Sequence, residues 1–223
     1  MKHGQLSVWG YCFLAIGLAV QAVTCWWAQE TWLSVVSGCL GICSVVLCAE
    51  GSIWTYLFGF SQIATYSVLC YQQHLYGTLI INAYYFVTMI YGVWCWQQRL
   101  VQKEGQSAMV QPRRLPLRTG LTIVLVLPIV SYLAGYVLAH YTNDTAPYLD
   151  AFTTVPAFVG QILLIMAYRE QWIIWLTVDV LYVVLWAQRG DGCMVAQHVF
   201  WCMNCIYGWV HWSQSSTPNQ AKG

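Results

Sequence analysis

Charged residues are scarce in this chain. Asp, Glu, Lys and Arg together make up 8% of its 223 residues, while hydrophobic residues make up 59%. An ordinary soluble domain carries about 25% charged residues, so this composition excludes a sizeable soluble domain. We therefore predict an integral membrane protein, surrounded by membrane lipid, with no nucleic acid, metal or cofactor as its partner.

Sequence patterns of several membrane enzymes and pumps are missing as well. No GxxxxGK[ST] pattern is present, so nothing indicates ATP hydrolysis. Lys2, Lys103 and Lys222 all lie in polar segments, so no late helix carries the lysine that a retinal photoreceptor needs. An intramembrane enzyme needs a second catalytic acid, a nucleophile with a base, or a set of metal ligands. We expect no catalytic residues and keep an enzyme only as a remote alternative.

Hydrophobic runs of bilayer length dominate what is present. A transmembrane helix needs roughly 20 mainly apolar residues, and polar breaks divide the chain into eight such runs. The runs cover about residues 7–27, 32–49, 53–71, 75–97, 119–141, 150–168, 171–187 and 192–212. The first run ends in Cys25, Trp26 and Trp27, a poor signal-peptide cleavage site, so we interpret it as a retained helix. The pattern predicts an all-α membrane protein with about eight transmembrane helices.

The basic residues predict the orientation, because cytoplasmic loops retain Lys and Arg. With eight spans and a cytoplasmic N-terminus, all of the nine basic residues except Arg189 lie inside. The opposite orientation inverts this ratio, so we expect a multi-pass protein with cytoplasmic N- and C-termini. The loop 98–118 and the tail 213–223 are polar. We interpret them as a solvated connector and a disordered end, neither of which holds a site.

We interpret the tryptophans near the ends of the runs and most of the cysteines as structural residues. Tryptophans near the ends of the runs are typical of an interfacial belt. They are Trp26, Trp27, Trp32, Trp54, Trp94, Trp96, Trp209 and Trp212. Most of the ten cysteines lie inside apolar runs, where a free thiol behaves as a small hydrophobic group. Cys202 and Cys205 have CxxC spacing but no second pair, so we do not interpret them as a metal or redox site.

Two segments of similar sequence end the fourth and the eighth run. Ile90-Tyr-Gly-Val-Trp-Cys-Trp96 and Ile206-Tyr-Gly-Trp-Val-His-Trp212 share one frame, and two further runs precede each. Four helices separate corresponding positions, so the two repeats have the same orientation in the membrane. Parallel repeats occur in small-solute transporters, with the substrate between them near the midplane. The chain then divides into an N-terminal helix (1–31), a first three-helix repeat (32–98), a cytoplasmic loop (99–118), a linker helix with an external loop (119–149), a second three-helix repeat (150–212) and a cytoplasmic tail (213–223).

Polar side chains inside the runs are candidates for a binding site. Asp179 is the only formally charged residue well inside a run, and a carboxylate there costs about 2.5–3.5 kcal/mol on insertion scales. Trp172, Trp175 and Asp179 share one helical face at i, i+3 and i+7. Two indole surfaces beside a carboxylate suit a flat cationic ring. The alternative for Trp172 is an interfacial anchor. For Asp179 it is a helix-packing role bonded to His198 or Gln161, and for His198 it is interhelical packing.

The same region carries a resemblance to a known family. Asp150-Ala-Phe-Thr-Thr154, Gln161, the stretch from Trp172 to Asp179 and Ile206-Tyr-Gly208 resemble the second half of the PnuC family of bacterial vitamin transporters. Gly41, Leu47, Phe58-Gly59, Leu75-Tyr76-Gly77 and Ile90-Tyr-Gly92 are similar to its first half. The resemblance covers roughly residues 33–212 and leaves the first run outside the repeats.

The resemblance implies a SWEET-like core of three plus one plus three helices and a homotrimer in the bacterial cytoplasmic (inner) membrane. It implies uptake of nicotinamide riboside by facilitated diffusion, with cytosolic phosphorylation trapping the product. We expect alternating access between the two repeats, without a driving ion. The residues expected to bind the substrate, with His198 added from the polar positions, are Trp172, Trp175, Asp179, Gln161, Gln62, Asn82 and His198.

Two alternatives stay open within this interpretation. Asp179 stands where some family members have Asn, and a carboxylate suits any organic cation. Thiamine, the substrate of PnuT relatives, is therefore an alternative to nicotinamide riboside. Proton coupling through Asp179 and His198 is an alternative to uncoupled flux.

Overall fold

The computed structural model describes residues 6–29, 31–72, 76–101, 109–142, 146–189 and 192–215. These residues form eight α-helices and one short antiparallel hairpin. The helices are α1 (Val8–Trp27), α2 (Trp32–Ala49), α3 (Trp54–Gln72), α4 (Tyr76–Gln97), α5 (Leu117–Tyr141), α6 (Pro147–Ile165), α7 (Gln171–Arg189) and α8 (Gly192–Ser215). The hairpin pairs β1 (Leu100–Val101) with β2 (Met109–Val110). The predicted all-α fold is confirmed.

The boundaries of α6 differ most from those predicted. This helix begins at Pro147 and ends at Ile165 instead of covering 150–168. Proline is favoured in the first turn because it has no N–H to leave unpaired. Ala167 has a φ of 56°, and a left-handed residue just past the last turn commonly ends a helix. At the other end of the chain, α8 continues to Ser215, so residues 213–215 are helical; the rest of the predicted tail lies outside the described residues.

The helices have the length and surface of membrane spans. Five are long and apolar enough to cross a bilayer, namely α1, α2, α5, α6 and Gln171–Gln188 of α7. The other three, α3, α4 and α8, have 19, 22 and 24 residues, close to or above the roughly 20 residues that a span needs. The outer surface of α5 is nearly all apolar; Leu125, for example, is 68% exposed. Such a surface belongs in lipid, so this is a multi-pass membrane protein.

Helix packing divides the core into two repeats, α2–α4 and α6–α8. Within each repeat, consecutive helices pack on one another. Two seams join the repeats, one between α2 and α8 and the other between α4 and α6. Exchanging the repeats converts each seam into the other, as a pseudo-twofold axis along the membrane normal requires. With α5 packed on α6 and α1 lying on α2 and α8, the expected SWEET-like arrangement is confirmed.

Equivalent aromatic pairs end the two repeats, 116 residues apart in sequence. Tyr56 lies edge-on to Trp96 with ring centroids 5.2 Å apart. Trp172 lies edge-on to Trp212 with centroids 5.6 Å apart. The shared sequence frame thus corresponds to a shared packing arrangement.

The glycine of each Tyr-Gly pair makes this packing sterically possible. A Cβ at Gly92 would lie 2.5 Å from Tyr56 Oη, and one at Gly208 would lie 2.5 Å from the Trp172 indole. Carbon atoms do not approach so closely without displacing the neighbour. The short residue is therefore required by the ring that lies on it.

Trp96 and Trp212 are buried rather than interfacial. Their relative exposures are 0% and 1%, so the predicted belt is wrong for these two residues. Trp96 Nε1 donates to Leu164 O at 3.0 Å, and Trp212 Nε1 donates to Ala49 O at 3.1 Å. Each indole therefore donates to a carbonyl in the last turn of the other repeat's first helix. The belt interpretation fits the exposed Trp26, Trp27, Trp32, Trp54 and Trp94.

A segment of the central loop crosses between the two repeats. We call residues 109–115 the strap and the side of the protein on which they lie the loop face. Val110 N donates to Gly51 O and Arg113 N to Ala167 O, each at 2.8 Å. Val110 is only 2% exposed and packs in the core. The interpretation of the whole loop as a solvated connector is therefore wrong for this part; residues 102–108 lie outside the described residues.

Candidate functional site

One face of α7 presents the three residues singled out from the sequence. Trp172 lies in the first turn near the loop face, and Asp179 lies about 10 Å deeper at 1.5 Å per residue. Trp172 and Asp179 are 4% and 5% exposed, and Trp175 between them is half-buried. The predicted spacing on one face is present, and the carboxylate is deep in the protein.

Asp179 is held by two donors from α8. Its Oδ1 lies 3.0 Å from His198 Nδ1, and its Oδ2 accepts from Cys205 Sγ at 3.6 Å. With Asp179 ionised, the Nδ1 nitrogen of His198 is the donor, because a carboxylate only accepts. Both side chains are buried, so the two charges neutralise each other when His198 is protonated. The packing alternative for Asp179 thus has a concrete partner in the structure.

Aromatic rings fix the orientation of His198. The Tyr182 ring stacks on the imidazole with centroids 4.7 Å apart and an interplanar angle of 22°. The Trp201 ring meets the imidazole edge-on at 4.8 Å. Tyr182 is three residues after Asp179, and Trp201 is three residues after His198. Helical spacing from the two polar residues was therefore the signal that predicts these neighbours.

Two of the three tryptophans of α7, Trp172 and Trp175, have indole N–H groups that are not hydrogen-bonded within the described part of the chain. Among the described residues, neither Trp172 Nε1 nor Trp175 Nε1 has an acceptor, although both atoms are buried. Trp172 packs on Gly208, and Trp175 packs on Gly160 of α6, where an added Cβ would lie 3.1 Å from the indole. A buried indole N–H usually finds an acceptor. The two unpaired donors distinguish these indoles from those of Trp96 and Trp212, whose N–H groups are hydrogen-bonded.

The seam between α4 and α6 supplies a second set of polar groups. Gln161 Nε2 donates to Thr88 Oγ1 at 3.4 Å, a long bond from a buried amide. Tyr84 Oη donates to Phe158 O at 3.2 Å across the same seam. Thr88 and Tyr84 were not identified from the sequence, because hydroxyl groups in an apolar run look like ordinary packing residues.

Asn82 and Gln62 lie in the first repeat, whereas Asp179 and His198 lie in the second. Asn82 is 6% exposed, and its Nδ2 donates to Ser67 Oγ of α3 at 3.3 Å. The spacing of 116 makes Asn82 the equivalent of His198. Gln62 is half-buried on α3, beside Gly41 of α2. The structure thus joins Asp179 with His198 directly and places Gln161 on the neighbouring seam.

The fold and these groups define a class of protein: a membrane transporter built from two parallel three-helix repeats, with buried polar and indole groups at its core. Residues 31–214 match the Nicotinamide mononucleotide transporter family. The chain belongs to this family and is therefore a transporter and not an enzyme.

Relatives and a solved structure agree with this placement. The chain is 30% identical over 216 residues to the nicotinamide riboside transporter PnuC of Neisseria mucosa, covering 93% of this chain and 80% of the relative. It is 26% identical to that of Haemophilus influenzae, covering 96% and 95% of the two chains. A crystal structure of the vitamin B3 transporter PnuC superimposes with a TM-score of 0.80 at 27% identity, covering 95% of this chain and 93% of the other.

Proposed function

We propose that this protein carries nicotinamide riboside across the bacterial inner membrane by facilitated diffusion. Two relatives that align over most of this chain are named for that substrate. The observation that carries the proposal is the unpaired, buried indole N–H of Trp175, which packs on Gly160 beside the α4–α6 seam, together with that of Trp172 one turn away on α7. Nicotinamide riboside offers a flat cationic ring for the indole faces and several oxygen atoms for the N–H groups.

The proposed binding residues come from both repeats. Trp175 is the residue on which we place most weight, because its ring is half-buried and its Nε1 is unpaired. Asp179 contributes negative charge, although His198 and Cys205 already occupy its two oxygens. The complete proposed set is Trp172, Trp175, Asp179, Gln161, Gln62, Asn82 and His198.

Alternating access is the proposed mechanism. The two equivalent seams, α2–α8 and α4–α6, allow one repeat to rock against the other around a fixed central site. No ion drives the movement, and cytosolic phosphorylation of the vitamin keeps flux inward. Uptake into proteoliposomes should therefore be unchanged when the proton gradient is collapsed, and a loss of uptake would show coupling instead.

The orientation and assembly follow from charge and from the family resemblance. We place the loop face in the cytoplasm together with both termini, because this puts the strap's Arg113 and Arg114 inside. A homotrimer is the proposed assembly, surrounded by lipid. Native mass spectrometry of the detergent-solubilised protein tests it directly, with a mass of three chains as the expected result.

Thiamine is the second candidate substrate. Asp179 suits thiamine as well as nicotinamide riboside, since a carboxylate attracts either flat organic cation. Isothermal calorimetry with purified protein distinguishes the two vitamins. We expect nicotinamide riboside to bind more tightly than thiamine. The reverse order would support the thiamine alternative, and binding of neither would refute the vitamin assignment.

The same titration tests the site. Trp175→Ala should weaken nicotinamide riboside about thirtyfold, since a desolvated cation–π contact contributes about 2 kcal/mol. Trp54→Ala is the matched control, because Trp54 is 50% exposed on α3 and should leave affinity unchanged. Trp172 is a poorer test residue because its ring also packs on Gly208 and Trp212. Equal affinities of the Trp175 variant and the wild type would refute the proposed site.

A further inference from the structure

The strap binds the two repeats at equivalent places. Gly51 follows α2 with a φ of 67°, and Ala167 follows α6 with a φ of 56°; they are 116 residues apart. Each offers its carbonyl to the strap, one to Val110 N and the other to Arg113 N. The strap thus binds two equivalent carbonyl groups, one in each repeat, and we call these two binding positions the seats of the strap.

The two ends of the strap belong to different repeats. Residues 109–111 are bonded to Gly51 of the first repeat and to the segment that follows α4, where they pair with β1 and where Gln111 N donates to Arg99 O at 2.9 Å. Residues 113–115 are bonded to the second repeat. Arg169 N donates to Arg113 O at 3.0 Å, and Leu115 N donates to Glu170 Oε2 at 2.9 Å. The crossing between the repeats is made at Pro112.

The crossing sets an upper limit on how far the repeats can separate while both ends of the strap stay bonded. From Val110 to Arg113 the chain spans at most about 11 Å when fully extended. If the repeats move apart on the loop face beyond this length, one of the two seats must release.

An aromatic core lies directly beneath the strap. Val110 packs in one buried cluster with Tyr56, Trp96, Trp172 and Trp212, and this cluster also contains Cys48. Trp172 is nearer the loop face than Asp179 by two turns of α7. A route from the polar groups of α7 to the loop face thus passes through this cluster and then past the strap.

We infer that the strap and the aromatic cluster beneath it form the loop-face gate of the transport path. The gate is closed in this conformation, and a substrate crosses this face only when one seat of the strap releases. This inference rests on the proposed transport function for its role, but the closure itself is a property of the protein without substrate.

Native cysteines report whether the gate is open. Cys48 lies in the cluster under the strap and is 4% exposed, whereas Cys95 is half-buried near the end of α4 on the same face. Purified protein is treated with a small maleimide, and the labelling rate at each cysteine is read by peptide mass spectrometry. The ratio of Cys48 to Cys95 labelling measures opening. No substrate is needed, so failure of the nicotinamide riboside assignment leaves this test intact.

Two variants at one position separate the strap's backbone from its side chain. Arg113→Pro removes the N–H that donates to Ala167 O, while Arg113→Ala keeps it. We expect the Cys48 ratio to rise about fivefold in the proline variant, the change that one net hydrogen bond of about 1 kcal/mol represents. The alanine variant should stay within about twofold of the wild type.

Val110→Ala provides an independent test that keeps every backbone bond. It removes buried methyl groups from the aromatic cluster beneath the strap, and we expect the Cys48 ratio to rise about tenfold. Each variant is first checked for a wild-type elution profile, and the Val110 variant decides the question if the proline variant does not fold. Cys48 ratios equal to that of the wild type in the folded variants would overturn the gate.

Discussion

Removing either member of the Asp179–His198 pair is expected to destabilise the protein almost as much as removing both. Asp179→Ala leaves His198 buried without its acceptor, and His198→Ala leaves the Asp179 carboxylate with only the weak Cys205 thiol as a donor. Breaking a buried pair in this way costs about 3–5 kcal/mol. Both side chains are close to fully buried, at 7% and 5% side-chain exposure, so solvent offers little compensation. We expect about 3 kcal/mol for Asp179→Ala and about the same for His198→Ala.

The variant that lacks both Asp179 and His198 tests whether the two side chains interact directly. It removes the second uncompensated group, so its total cost should be about 3–4 kcal/mol instead of the roughly 6 kcal/mol of two independent sites. The assay is reversible denaturant unfolding of the four proteins in mixed micelles, from which the coupling free energy is calculated. Additivity of the two single variants within about 0.5 kcal/mol would refute a direct interaction.

A matched control lies on the same helix. The Thr177 hydroxyl on α7 is exposed and donates only to Ile173 O of its own helix, at 2.9 Å. Thr177→Ala should therefore change the free energy of unfolding by less than about 0.5 kcal/mol. A larger change would show that α7 responds to any substitution, and the values at Asp179 would lose their specific meaning.

Three further predictions concern packing and helix docking. Gly208→Ala places a methyl group against the Trp172 ring and should reduce the melting temperature by several degrees. Gly120→Ala is the control, because its Cβ would meet only ordinary contacts, and equal melting curves of the two variants would contradict the prediction. Glu50→Ala leaves the donors of Ser7 and Tyr207 without their shared acceptor and should lower the free energy of unfolding by about 2 kcal/mol, measured with denaturant. An unchanged free energy of unfolding would show that the apolar face of α1 holds this helix in place. Tyr84→Phe removes one hydrogen bond across the α4–α6 seam, so it should lower the free energy of unfolding by about 1 kcal/mol, and no change would indicate that this bond is dispensable.

Helix number, repeat organisation and the α7 face were all predictable from sequence. Runs of bilayer length separated by polar breaks are a strong signal, because lipid tolerates only helices with few charges. The two Ile-Tyr-Gly segments predict the repeats because equal sequence frames imply equal packing. Trp172, Trp175 and Asp179 lie on one face because helical periodicity alone places them there.

Other features depended on contacts between distant segments. Trp96 and Trp212 looked interfacial because they stand at helix ends, yet each is buried against the first helix of the other repeat. The end of α6 at Ile165 was missed because it depends on the positive φ of Ala167, which alanine rarely adopts. The strap looked like a polar loop since it has no periodicity, and its order comes from bonds to Gly51 and Ala167.

Composition and periodicity act locally along the chain, so they were enough to predict a membrane protein of two parallel helical repeats with a carboxylate, Asp179, well inside one apolar run. The partner of that carboxylate, the burial of particular tryptophans and the position of the central loop were not predictable in this way. Each of these depends on how the helices are rotated and packed against one another. His198 is 19 residues from Asp179, and the strap meets residues more than 50 positions away on either side; no local pattern encodes such pairings.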